Sequence, residues 1–130
     1  MVSDPISDFL TRVRNAQMAG KSEAVIPYSK LKEEIAKLLV REGYLTDATV
    51  EGKKIKKDLV VSFENEDGQA KFKGLERVSK LSRRSYMGYK DIRPVKFGHG
   101  KLIISTPEGI LTDEEARTKK VGGEALFKIW

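Results

Sequence analysis

Residues 98–124, "GHGKLIISTPEGILTDEEARTKKVGGE", contain the pattern that decides the fold of the second half of the chain. Residues 102–104 are apolar in succession, which is typical of a buried strand, and "TPEG" then predicts a turn. Thr112 and Glu115 have the spacing of a capping box, which predicts a short helix over roughly residues 113–120. Gly122-Gly123 is expected to end this helix.

The sequence on either side of this stretch extends a β-rich half. On the C-terminal side, "EALFKIW" (124–130) predicts a last strand, and Trp130 is expected to close an edge of the core. On the N-terminal side, "NEDG" predicts a turn and "QAKFKGLERVS" (69–79) predicts a strand with a basic outer face. The boundary between two lobes is predicted near Gly68.

The first half of the chain has the pattern of a small α/β lobe. "SDPISDFLTRVRNAQMAGK" (3–21) predicts a helix that begins with an N-cap at Ser3 or Asp4 and ends at Gly20. A short strand "EAVIPY", a second helix from Ser29 to Gly43, and a hairpin formed by "YLTDATV" and "IKKDLVVSFE" follow. The first helix is expected to bury Ile6, Phe9, Leu10 and Val13, to expose Thr11 and Asn15, and to place Arg12 and Arg14 on opposite sides of the buried stripe.

These elements predict an α+β protein of two small lobes. Residues 1–68 are expected to form an N-terminal α/β lobe with two helices and a three-stranded sheet. Residues 69–130 are expected to form a C-terminal β-rich lobe with one short helix. The length of 130 residues suits one compact domain or two such lobes.

The net charge of +6 is concentrated in one segment of the chain. Residues 71–93 hold eight lysines and arginines against two acidic residues, which accounts for the whole excess. Such a concentration favours a polyanion as partner, the alternative being a solvated charged face. Within the segment, Tyr86 and Tyr89 alternate with basic residues such as Arg84. Because arginine pairs with phosphates and tyrosine stacks on bases, nucleic acid is the favoured polyanion.

The composition excludes several classes of site. The chain has no cysteine and a single histidine, so neither a disulfide nor an ordinary zinc site is expected, and no metal or cofactor is predicted. The start "MVSDPISDF" lacks the pattern of a signal peptide, and no apolar run approaches the roughly 20 residues of a membrane span. A cytoplasmic protein without a membrane partner is therefore expected.

The histidine and hydroxyl residues of the opening stretch do not have the arrangement of a hydrolase. His99 and Ser105 are predicted at opposite ends of one strand, about 20 Å apart, whereas a Ser-His mechanism needs them in contact. No catalytic residue is predicted, and His99 is expected to be a turn residue. A small hydrolase that uses His99 is thereby disfavoured.

Ser105, Thr106 and Gly109 favour an RNA contact. Short hydroxyl side chains suit the shallow minor groove of double-stranded RNA, which is lined with 2′-hydroxyl groups, and a glycine lets the backbone approach closely. One alternative is that Ser105 and Thr106 only cap a turn. Another is a protein-interaction module whose basic segment docks an acidic partner.

The whole chain resembles bacterial small-subunit ribosomal protein eight. The resemblance rests on "DPISDFLTRVRNAQ" at the start, "SKLKEEIAKLLVREGYL" in the second helix and "RVSK" in the middle. It is most specific in residues 98–124, where S-T-x-x-G, T-D-x-x-A-R and G-G-E follow in family order. It implies a two-lobed fold and a structural, non-enzymatic role in the small ribosomal subunit. It also implies early binding to the central domain of small-subunit ribosomal RNA.

The resemblance further implies partners and contact residues. Ribosomal proteins five and twelve are the implied protein neighbours, and the protein's own messenger RNA is an implied target of feedback repression. The implied RNA contacts, with Arg84 added from the basic segment, are Ser105, Thr106, Gly109, Tyr86 and Glu124 in the C-terminal lobe, Thr11, Arg14 and Asn15 in the first helix, and Lys30 and Lys32 as phosphate contacts.

The sequence departs from the family pattern at two places. Pro107 replaces a second serine after Ser105-Thr106, which removes a hydroxyl and an N–H and is expected to stiffen the turn. Leu81-Ser82 replaces a Pro-Gly pair after "RVSK", so this loop is expected to follow another path.

Overall fold

The chain forms two compact units in a computed structural model that describes residues 4–53, 55–63, 72–80, 82–95 and 98–130. The units are Met1–Lys73 and Gly74–Trp130, which we call the N-terminal and C-terminal units. The predicted lobe boundary near Gly68 and the predicted "NEDG" turn lie outside the described residues. The described residues contain three α-helices and two antiparallel sheets, which confirms the predicted α+β class.

The N-terminal unit is a three-stranded sheet with two helices. The antiparallel sheet has the strand order β1-β3-β2, and α1 packs against β1 while α2 packs against β2. The predicted strand, second helix and hairpin are confirmed. Its elements are α1 (Pro5–Met18), β1 (Glu23–Pro27), α2 (Lys30–Arg41), β2 (Asp47–Lys53) and β3 (Lys56–Ser62).

Side-chain caps fix the starts of both helices. Asp4 is the N-cap of α1 and accepts hydrogen bonds from the backbone N–H groups of Ile6 and Ser7. Ser29 is the N-cap of α2 and accepts from the N–H of Lys32. The buried residues of this unit include the predicted apolar stripe Ile6, Phe9, Leu10 and Val13, and the alternating Leu59, Val61 and Phe63 of the hairpin.

The C-terminal unit is built around the last strand of the chain. Its sheet has the order β4-β8-β6-β7, and β5 also pairs with β8, while α3 packs against β6 and β7. The unit also holds a 3₁₀ turn, Tyr89–Asp91. Its elements are β4 (Leu75–Arg77), β5 (Tyr86–Met87), β6 (Lys101–Thr106), β7 (Gly109–Thr112), α3 (Asp113–Lys119) and β8 (Gly123–Ile129).

Three details of this unit differ from the sequence prediction. The strand predicted over residues 69–79 is present only as Leu75–Arg77 among the described residues, and β5 and β7 were not predicted. The capping box of Thr112 and Glu115 is confirmed. However, Gly122-Gly123 does not end α3, because Lys120 already does so with a left-handed conformation (φ 57°).

Trp130 directly follows β8, is half-buried and pairs with the residue before β4. The backbone N–H and C=O of Trp130 both pair with those of Gly74, at 3.1 Å each. A Cβ on Gly74 would meet the indole ring of Trp130 at 2.3 Å, so the ring lies directly against this glycine. The single tryptophan therefore reports on the packing of the C-terminal unit.

Candidate nucleic-acid interface

Tyr86, Glu124 and Ser105 lie directly opposite one another on three neighbouring strands. Tyr86 of β5 pairs with Glu124 of β8, and Glu124 pairs with Ser105 of β6. Opposite residues of antiparallel strands share one face of a sheet. The next residues along, Ile104 and Ala125, are fully buried on the other face. Tyr86, Glu124 and Ser105 thus form one row, which we call the polar row.

The two ends of the polar row present unpaired polar groups. Tyr86 is 72% exposed, and Ser105 is half-buried. Within the described part of the chain, neither the Tyr86 phenol nor the Ser105 hydroxyl makes an intramolecular hydrogen bond. A phenol provides a ring for stacking and an O–H, and a serine hydroxyl both donates and accepts. The row can therefore meet a ligand that has flat faces and hydroxyl groups.

The carboxylate of Glu124, in the middle of the row, is already engaged by its neighbours. It accepts a hydrogen bond from the Ser79 hydroxyl and one from the Arg84 guanidinium at 3.0 Å. Burial by itself raises the pKa of Glu124, but the Ser79 and Arg84 hydrogen bonds and the positive charges of Arg84 and Arg77 outweigh it and hold the pKa below its ordinary value. Glu124 thus serves mainly to hold Ser79 and Arg84 in place, and its carboxylate is already engaged within the protein.

Ser79 connects this carboxylate to the strand that carries Tyr86. Its side chain is fully buried, donates to Glu124 and accepts from the N–H of Ser85 at 3.1 Å. The C=O of Ser85 in turn accepts from the N–H of Ala125 at 2.8 Å. Because Tyr86 directly follows Ser85, these bonds fix where β5 begins against β8. No local sequence signal indicates this role, since Ser79 is one serine in a polar segment.

Gly122 and Gly123 let β8 lie close to both of its neighbours at the polar row. A Cβ on Gly123 would lie 2.0 Å from the carbonyl oxygen of Ser105, and one on Gly122 would lie 2.3 Å from that of Met87. Neither distance is possible for a real side chain. The glycine pair predicted to end α3 therefore acts in the sheet instead, where it brings Glu124 between Tyr86 and Ser105.

Thr106 and Gly109 form the turn beside the row. The Thr106 hydroxyl donates to the C=O of Gly109 at 2.8 Å and accepts from the N–H of Glu108 at 3.1 Å. Gly109 has a φ of +111°, a conformation that favours glycine. Pro107 is exposed within this turn. Thr106 thus caps the turn, as the alternative interpretation expects, whereas Ser105 does not.

The residues predicted in the N-terminal unit separate into exposed and buried groups. Thr11, Arg14 and Asn15 are exposed on α1, and Lys30 is exposed at the first residue of α2. Lys32 is buried, and this placement argues against its predicted phosphate contact. Its Nζ donates to the C=O of Pro27 at 3.2 Å and lies 3.5 Å from a carboxylate oxygen of Asp8, so it joins α1, β1 and α2.

Other residues from the sequence analysis lie elsewhere. His99 is an exposed turn residue between Val95 and Gly100, as predicted, and it precedes β6, whereas Ser105 lies near the other end of that strand. Tyr89 is half-buried and packs against the buried cluster of the C-terminal unit. The loop that was expected to follow another path because of Leu81-Ser82 is described only in part, since Leu81 lies outside the described residues.

Neither metal-binding clusters nor membrane-spanning helices occur in the described part of the chain. No three histidine, cysteine, aspartate or glutamate side chains there are grouped to hold a metal ion. The helices of the same residues are too short or too polar to cross a bilayer.

Comparison with known proteins identifies the family. The family model described as Ribosomal protein S8 matches residues 4–130. Relatives named small ribosomal subunit protein uS8 include one from Persephonella marina, 46% identical over the full length of both chains, and one from Rubrobacter xylanophilus, 48% identical over 99% of this chain and 98% of the relative. Another, from Nitratidesulfovibrio vulgaris, is 46% identical over both full lengths. The chain therefore belongs to the ribosomal protein S8 family, whose members are structural components of the small ribosomal subunit and not enzymes.

Proposed function

We propose that this chain binds the central domain of small-subunit ribosomal RNA early in subunit assembly, with the polar row as its specific contact. The in-register alignment of Tyr86, Glu124 and Ser105 is the observation that carries the proposal. The row presents a stacking ring and a free hydroxyl at fixed spacing, which suits a helix distorted so that a base can stack. A regular duplex offers no such unstacked base.

Basic side chains supply the remaining affinity through phosphates. Arg84 is held beside the row by Glu124, and Arg14 and Lys30 are exposed in the N-terminal unit. Phosphate contacts position a protein on RNA but cannot select a site, because every nucleotide carries the same phosphate. Thr11 and Asn15 are proposed as additional polar contacts from α1.

The proposal also covers the location of the protein and its binding partners. The chain works on the ribosome in the bacterial cytoplasm, with ribosomal proteins five and twelve as neighbours. The protein's own messenger RNA is a second RNA target if it reproduces the same local shape. Thr106 and Gly109 support this binding by shaping the turn next to Ser105, and Glu124 supports it by orienting Arg84.

A binding titration at two salt concentrations tests the proposal. One RNA is a transcript of the central domain, and the other is a perfect duplex of equal length. Preference for the transcript that survives high salt is expected, because shape-specific contacts do not depend on counterion release. Equal binding of both RNAs that disappears with salt would contradict the proposal.

Replacing Ser105 with alanine is expected to weaken binding to the transcript by about 1–3 kcal/mol, roughly 5- to 150-fold, since a buried partner loses its hydrogen bond. The slope of log affinity against log salt should stay unchanged, because no charge is removed. The same titration measures both quantities. Thr106→Val breaks the turn bonds but keeps the Ser105 hydroxyl, so comparing the two variants separates the effect of the turn shape from that of the hydroxyl. If Ser105→Ala bound the transcript as tightly as the wild type, Ser105 would have a structural role only.

Lys30 and Lys32 lie in the same helical turn and are expected to behave differently. Lys30→Gln should reduce the salt slope by about 0.7–0.9, the value of one phosphate contact. Lys32→Gln should leave the slope unchanged and lower the midpoint of urea unfolding, because it removes the bonds to Pro27 and Asp8. If both variants changed only the salt slope, the assignment of Lys32 as a structural residue would be wrong.

A further inference from the structure

The tip of the β2–β3 hairpin carries a group of lysines that the proposed function does not assign. Lys53, Lys56 and Lys57 are all exposed, and Ile55 at the apex is 98% exposed. None of these three lysines forms an ion pair with another described residue. Lys54 adds a fourth lysine to the sequence but lies outside the described residues. We call the described residues 52, 53 and 55–57 the lysine tip.

The backbone fixes the shape of the lysine tip. Gly52 has a φ of +107°, and a Cβ there would lie 2.2 Å from the carbonyl oxygen of Lys56. Only glycine therefore fits this turn, and the register places Lys53 directly opposite Lys56. The lysines are thus presented at a defined spacing at the end of a paired hairpin.

In the hairpin, residues of like charge face each other across the two strands. Lys53 faces Lys56, and two positions further along each strand, beyond the Gly52–Lys57 pair, Glu51 faces Asp58. Like charges directly opposite on neighbouring strands are destabilising, and exchanging one member of each row would have made two favourable pairs. The positive charges therefore lie at the tip of the hairpin in spite of their mutual repulsion. Binding of an external polyanion would stabilise this arrangement.

The third lysine of the tip, Lys57, is positioned by Tyr28. The Lys57 ammonium lies 5.5 Å from the centre of the Tyr28 ring, and the Lys57 C=O accepts a hydrogen bond from the N–H of Tyr28 at 3.1 Å. An open cleft of about 640 Å³ adjoins the tip and is lined by Pro27, Tyr28, Ile55, Lys56, Lys57 and one acidic residue, Asp58. The tip and cleft together offer ammonium groups around a concave surface, which suits a nucleic-acid backbone better than a flat apolar interface.

We propose that the lysine tip is a second RNA-binding site, which grips the phosphate backbone of ribosomal RNA. The proposal rests on the proposed function, because it takes the chain to be assembled on that RNA. It assigns no sequence preference to the tip, since its charged groups meet only phosphates. Ile55 is the one apolar side chain of the tip, too little for an apolar protein interface.

Salt titration of the full-length protein with the central-domain transcript tests this site. The triple variant Lys53→Gln, Lys56→Gln and Lys57→Gln should lower the salt slope by about 2–3, because each phosphate that is no longer neutralised accounts for about 0.7–0.9. The control variant Lys21→Gln, Lys37→Gln and Lys119→Gln removes the same charge from other exposed positions and should change the slope less. Urea unfolding of the tip variant separates weaker binding from loss of stability, because Lys57→Gln also removes the contact of its ammonium with the Tyr28 ring. Equal slopes for the two triple variants would overturn the proposal.

A photo-crosslinker identifies what the tip touches. With p-benzoylphenylalanine in place of Ile55, reconstituted small subunits should give a crosslink to ribosomal RNA. A crosslink to a ribosomal protein, or none, would overturn the proposal. Failure of this site is distinguishable from failure of the proposed function: in the second case the wild-type protein shows no preference for the transcript over the duplex.

Discussion

Replacing Gly123 with alanine is expected to lower the unfolding free energy of the C-terminal unit by about 3 kcal/mol, at the upper end of the usual cost of overpacking. The new Cβ would lie 2.0 Å from the carbonyl oxygen of Ser105, and the obstacle is backbone, which cannot rotate away. Strands β6 and β8 must therefore separate where Glu124 and Ser105 face each other. Affinity for the central-domain transcript should fall at least as far as in Ser105→Ala.

The fluorescence of Trp130 during urea unfolding measures this change, since Trp130 is the only tryptophan and packs within the C-terminal unit. Gly88→Ala is the matched control. Its backbone (φ −75°, ψ 155°) suits any residue, and the nearest atom to its Cβ would be a carboxylate oxygen of Asp91 at 3.6 Å. This control should unfold like the wild type. A Gly123→Ala protein as stable as Gly88→Ala would show that the close approach of β8 and β6 is not required.

Removing the carboxylate of Glu124 is expected to have the second-largest effect on stability. Glu124→Ala leaves the buried Ser79 hydroxyl without its acceptor and releases Arg84, at a cost of about 2–3 kcal/mol for the unsatisfied groups. Glu124→Gln keeps an acceptor oxygen at nearly the same place and should cost less. Urea unfolding followed by Trp130 fluorescence ranks the three proteins. Equal stability of the alanine and glutamine variants would contradict the hydrogen-bond explanation.

The same carboxylate predicts an acid dependence with a definite sign. Because the folded state holds the pKa of Glu124 below its ordinary value of about 4.3, the charge stabilises the fold fully above that pH. This stability is lost as the pH falls through the lower, folded-state pKa. The difference in stability between the wild type and Glu124→Gln should therefore shrink below about pH 4. A difference that stays constant with pH would mean that the charge of Glu124 contributes nothing.

Periodicity and capping residues were enough to predict most of the fold. The helix starts at Asp4, Ser29 and Thr112 depend on side chains that bond to a backbone only two or three residues away, so local sequence determines them. Strand β5 is different. It has only two residues, and Ser85 before it is held both by Ser79 nearby in sequence and by Ala125 of β8, far along the chain. No window of sequence contains that information.

The candidate site was predictable as a list of residues but not as a geometry. Family order pointed to Ser105, Tyr86 and Glu124, yet their alignment depends on strand register and on the close approach allowed by Gly122 and Gly123. Lys32 is the case in which the structure argues against the residue chosen from the sequence. By type it looked like a phosphate contact, but burial against Asp8 and Pro27 uses its charge inside the protein. The lysine tip did not stand out in the sequence, because nearby acidic residues cancel its positive charge when net charge is counted over a longer segment.

The position of β8 has a consequence for the cooperativity of the C-terminal unit. In the described part of the chain, β4 and β5 pair with β8 and with no other strand. A local opening that detaches β8 therefore removes the partner of both strands and the middle member of the polar row in the same event. Amide hydrogen exchange of β4, β5 and β8 is expected to occur as one cooperative step.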